Sequence, residues 1–76
     1  MPSKKSQANQ ALGAAMRCAH KRQGYAQESF AARAGLDRAN YGAIERGESN
    51  VSLNTIVKLA AGLGITVGEL LHQSKL

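Results

Sequence analysis

The chain lacks most of what small extracellular and metal-built folds depend on. A single cysteine, Cys18, excludes an internal disulfide and any metal cage built on paired thiolates, and it fits a reducing cytosol. Tryptophan is absent, and there are only two tyrosines and one phenylalanine. A core must therefore come from Leu, Ile, Val and many Ala, a composition that favours close-packed helices. No stretch of about 18 apolar residues is present to span a bilayer, and no basic-then-apolar leader opens the sequence, so nothing argues for export or a membrane anchor. Acids are missing altogether from residues 1–22.

What is present is basic charge. Ten Lys and Arg against five Asp and Glu give a net +5, with Lys4, Lys5, Arg17, Lys21 and Arg22 all in the acid-free segment. That asymmetry suits a polyanion such as nucleic acid or an anionic membrane surface, or a tail that only solubilises. With 76 residues, 43% of them apolar, the chain makes one small domain with one modest core. Two lobes enclosing a substrate cleft do not fit, so function must sit on the surface. The two distant histidines, one cysteine and five scattered acids offer no nucleophile–base pair and no metal constellation, so an enzyme is not expected, nor a cofactor or small-molecule ligand.

Hydrophobic periodicity predicts five short helices and no strand. Residues 1–7, MPSKKSQ, read as a flexible basic arm, and the folded domain as residues 8–76. In the first helix Leu12, Ala15, Met16 and Ala19 recur at helical spacing until Gly24. A second runs from about Gln27 to Ala34, buries Phe30, Ala31 and Ala34, and stops at Gly35; Ala26 is a poor cap for it. Asp37 caps a third helix over about 38–45 that buries Tyr41 and Ile44. Ser52 caps a fourth, with Leu53, Ile56, Val57, Ala60 and Leu63 on its inner face, and Gly64 ends it. Thr66-Val67-Gly68-Glu69 has capping-box spacing and starts the fifth, which carries Leu70 and Leu71.

Two short helices joined by a glycine-containing turn fit a helix-turn-helix over about 27–46. In that motif the second helix lies in the major groove and its first turn meets base edges. Arg38 on that turn can give two hydrogen bonds to guanine, Asn40 suits adenine, Ala39 can touch a thymine methyl, and Ala43 faces the groove weakly.

On the residues Leu12-Gly13, Gln27-Glu28-Ser29-Phe30-Ala31, Gly35-Leu36, Ile44-Glu45-Arg46-Gly47, and Leu53-Asn54-Thr55-Ile56 leading to Leu63-Gly64-Ile65, the chain resembles the Cro/phage-repressor type of helix-turn-helix, the Xre family. The resemblance covers nearly all of residues 11–71 and lies nearest the short single-domain members, which include phage-type repressors and restriction-modification controller proteins. It implies an all-α, five-helix, lambda-repressor-like domain whose helices 2 and 3 form the motif. It also implies a cytoplasmic, nucleoid-associated regulator with double-stranded DNA as its partner.

Residue by residue, the resemblance gives Gln27 a phosphate contact and a bracing role toward the recognition helix. Arg46, Ser49 and Asn50 fall where the family's loop follows the sugar-phosphate backbone, with Glu48 among them repelling phosphate. Tyr41 takes a buried position. Glu45 reads as structural: its partner in the family is an arginine on helix 1, and here that position is His20. A His20–Glu45 pair would make the fold pH-sensitive near the ordinary imidazole value of ~6.5. Ala26 for a Ser or Thr cap, and Val51 for a frequent proline, predict local softness. Lys4 and Lys5 form either a DNA-reaching arm or a plain tail, and Cys18 and His72 are filler.

One short recognition helix reads only about 4 base pairs, so a homodimer on a pseudo-palindromic operator is expected. Its seam is placed on Leu59 and Leu63 of helix 4 and on Val67, Leu70, Leu71 and Leu76 toward the chain end. The alternative is a protein-interaction module, an antitoxin or adaptor. The near-neutral balance of residues 27–48 favours that, because Arg33, Arg38 and Arg46 meet Glu28, Asp37, Glu45 and Glu48 there.

Overall fold

A computed structural model describes residues 6–75; Lys4, Lys5 and Leu76 lie outside that range. Its elements are α1 (Gln7–Arg22), α2 (Gln27–Arg33), α3 (Arg38–Glu45), α4 (Leu53–Leu63) and α5 (Val67–Gln73), with no strand among the described residues.

Local chemistry sets each boundary. Ser6 Oγ accepts from the Asn9 amide at 3.1 Å, so α1 starts at Gln7 and the expected arm of residues 1–7 gives up its last two residues to the fold. Ala26 cannot cap α2 with its side chain. Ser29 compensates: its hydroxyl accepts the Ala26 N–H at 3.0 Å, the reciprocal half of a capping box. Asp37 accepts from the Ala39 and Asn40 amides at 3.1 and 3.2 Å and opens α3. Ser52 caps α4, and Thr66 and Glu69 exchange both bonds of the box at 3.0 Å.

The turn between α2 and α3 is closed by backbone alone. Gly35 N–H reaches Ala32 O at 3.1 Å and Leu36 N–H reaches Ala31 O at 2.9 Å, which requires the left-handed φ of 74° at Gly35. Leu36 is thereby returned to the core.

That core joins all five helices through Leu12, Met16, Phe30, Ala31, Tyr41, Ile44, Leu59, Ala60, Leu63 and Leu70. Phe30 and Tyr41 meet at its centre with ring centroids 5.3 Å apart. Arg33 fastens α2 to α4 by donating to Gly62 O at 2.8 Å while its guanidinium stacks 5.3 Å above the Tyr25 ring.

The phase of α4 departs from expectation. Ile56, Leu59, Ala60 and Leu63 form the inward stripe, whereas Leu53 and Val57 are 69% and 49% exposed. Both sets have helical spacing, so periodicity alone could not choose between them. The inward position goes to the set that meets Phe30 and Leu70. Of the residues expected in a dimer seam, Leu59, Leu63 and Leu70 are instead buried in the core of this chain and are not available to a partner, and Val67 packs partly against the same core. Leu71 is half-buried.

Candidate nucleic-acid interface

Capping by Asp37 turns the first turn of α3 outward. Arg38, Ala39 and Asn40 are exposed, while Tyr41 and Ile44 on the opposite side are held in the core. Gln27, Arg38, Ala39, Gly42 and Arg46 line one shallow concavity. Gly42 keeps it open, since a Cβ there would sit 3.2 Å from Arg46 Nη1. Ala43 is half-buried one turn along the helix.

Behind this surface lies Glu45, whose side chain is almost completely enclosed. Its Oε1 accepts from Gln27 Nε2 at 3.0 Å and lies 3.8 Å from Arg17 Nε, and its Oε2 is 3.3 Å from His20 Nδ1. The anticipated His20–Glu45 contact is thus present, without the alignment of a hydrogen bond. Beside it, burial and then the Glu45 carboxylate hold the Tyr41 hydroxyl well above the ordinary tyrosine range. Glu45 therefore gathers α1, α2 and α3 onto one carboxylate, and Gln27 ties the start of α2 to the end of α3.

The loop after α3 is braced from α1. Asn50 Oδ1 accepts from Asn9 Nδ2 at 2.6 Å, Ser49 Oγ donates to Asn50 O at 3.4 Å, and a Cβ on Gly47 would lie 2.8 Å from Gln10 Cγ. Asn50 is exposed and Ser49 half-buried.

Two participants were not singled out from sequence as parts of the site. Arg17 sits three residues before His20 on the same face of α1, a spacing that could have found it. Glu28 lies 3.2 Å from Arg38 Nη2. Nothing in the sequence marks Glu28 as the partner of Arg38, because the turn between them brings them together. Arg46 Nε is paired in turn with Glu48 Oε1 at 2.9 Å.

Cys18 and His72 are exposed, with Arg22 Nη2 3.4 Å from the Cys18 sulfur. Among the described residues no group of three His, Cys, Asp or Glu could hold a metal ion, and no single helix is long and apolar enough to cross a membrane.

The sequence pattern of a helix-turn-helix family matches residues 17–70. Control protein C.MunI of Mycoplasma sp is 59% identical over 44 residues, spanning 58% of this chain and 60% of that protein. A Neisseria hypothetical transcription factor from Neisseria meningitidis serogroup B is 41% identical over 56 residues, 74% of this chain and 53% of that one. The chain thus spans little more than half the length of these two relatives. Among solved structures, the restriction-modification controller protein C.AhdI from Aeromonas hydrophila superposes with a TM-score of 0.78 at 42% identity, covering 82% of this chain and 94% of that one.

Proposed function

This chain belongs to the helix-turn-helix family, of the Cro/phage-repressor type, and from that premise we propose that it is a non-enzymatic, sequence-specific regulator of transcription that binds double-stranded DNA as a homodimer. The observation that carries this is the exposed first turn of α3, flush with Gln27 and Arg46 in one concavity.

On this reading Arg38 and Asn40 meet base edges in the major groove, and Ala39 and Ala43 let the backbone approach and touch a thymine methyl. Gln27, Arg46, Ser49 and Asn50 sit along the phosphates and set the register. Gln27 and Asn50 are held by Glu45 and Asn9 before any DNA arrives, so less side-chain freedom is lost on binding.

One such helix reads too few base pairs to address a genome, which makes a two-fold pair on a pseudo-palindromic site, half-sites about 34 Å apart, the natural arrangement. For the seam we propose Leu53 and Val57, neighbours one turn apart on α4, with half-buried Val67 and Leu71 of α5. The names of the relatives, a control protein, a transcription factor and a restriction-modification controller protein, point the same way.

Selection from a pool of random duplex DNA at ~150 mM salt, where non-specific binding is weak, tests this. The expected result is enrichment of an inverted repeat with half-sites about 10 base pairs apart. A pool that stays random would overturn operator binding and favour a module that holds a protein partner.

A further inference from the structure

Both arginines of the concavity are engaged by carboxylates of the protein itself. Arg38 Nη2 lies 3.2 Å from Glu28 Oε1 and Arg46 Nε lies 2.9 Å from Glu48 Oε1. The other two acids of residues 27–48 are used differently: Asp37 caps α3 and Glu45 is buried. The net charge of +5 therefore does not reside on the reading surface, which is balanced locally.

Glu28 stands in the first turn of α2, where the helix dipole favours an acid. That accounts for an acid at this position but leaves its partnership with Arg38 unexplained. Glu48, in the loop between α3 and α4, holds the second arginine of the same surface.

We propose, resting on the DNA-binding role of α3 argued above, that Glu28 is a specificity-determining residue that acts as an internal competitor for Arg38. The Arg38–Glu28 pair is 70% and 65% exposed, so it is weak and can be exchanged for a better partner. On non-specific DNA the competitor is a phosphate, which offers Arg38 little more than Glu28 already does. Arg38 then stays on its carboxylate and makes no contact. At the preferred site guanine offers two aligned hydrogen bonds in a dehydrated groove, and Arg38 leaves Glu28. Glu28 thus suppresses the non-specific contact more than the specific one.

The test compares the native chain, Glu28→Gln, Arg38→Ala and the double variant by fluorescence anisotropy, on the selected site and on random duplex, across a salt series. Glu28 is exposed and outside the core, so the variant keeps its fold. Glu28→Gln is expected to tighten binding to random duplex about two- to fivefold, to narrow the ratio between the two DNAs, and to steepen the salt dependence on random duplex by a slope of about 0.9, one added phosphate contact. In the Arg38→Ala background the same change should do nothing.

Unchanged affinity of Glu28→Gln for random duplex would overturn the proposal. So would an effect that persists without Arg38, since that marks a general charge effect. Failure of the underlying role of α3 looks different: Arg38→Ala alone would bind the selected site as tightly as the native chain, and both would fall.

Discussion

Gln27 Nε2 donates a 3.0 Å hydrogen bond to Glu45 Oε1, so the first residue of α2 is tied to the last residue of α3. The angle between the two helices of the motif is thereby secured at both ends, by the Gly35 turn at one and by this bond at the other. Arg17 and His20 approach the same carboxylate from α1.

Glu45→Ala should lower stability by about 1–3 kcal/mol, because it leaves the half-buried amide of Gln27 without its acceptor and opens space beside the buried His20. Urea unfolding reads this as a lower midpoint with an unchanged slope. A midpoint within error of the native chain would mean that the carboxylate is not a hub of the fold.

Gly13→Ala separates local from tertiary effects. In an isolated α1 the change favours the helix by about 1 kcal/mol. In the folded chain the new Cβ would lie 2.5 Å from Glu45 O and against Ile44 O, both backbone atoms, so α1 and α3 must part. A net loss of about 1–3 kcal/mol is expected in chemical unfolding, with weaker DNA binding because α3 moves. Equal or greater stability would contradict the close approach.

Tyr41 predicts alkaline behaviour. Its folded pKa is raised above the unfolded value of ~10, so its contribution to stability is fully present below pH ~10 and is lost as pH rises beyond that. In a Tyr25→Phe variant, which leaves one tyrosine to observe, tyrosinate absorbance should appear only as the helical circular dichroism signal disappears. Ionisation near pH 10 with the helices intact would show the hydroxyl to be solvated.

Leu53→Ser combined with Val57→Ser should shift the protein to a monomer in sedimentation velocity that still folds, since both side chains are exposed in the single chain, and its unfolding midpoint should no longer rise with protein concentration. Binding to an inverted repeat should weaken far more than binding to a single half-site. A double variant that remains dimeric would place the seam elsewhere.

The element boundaries were legible because they are local. Asp37, Ser52 and the Thr66–Glu69 box act within three residues of themselves, and the Gly35 turn closes through backbone bonds spanning at most five positions. The exposed turn of Arg38, Ala39 and Asn40 followed from the same logic, since burial of Tyr41 and Ile44 leaves those three facing outward. Tertiary structure decided what depends on residues distant in the chain. Leu59 went inward and Leu53 and Val57 outward, because the phase of an apolar helix is chosen by the surface it meets. Gly13 became indispensable because two backbones cross there, and Glu28 met Arg38 because a turn folds them together. Short-range hydrogen bonds and helical period are written in neighbouring residues. Which of several amphipathic faces is buried, and which charge finds which partner, exists only once the helices pack.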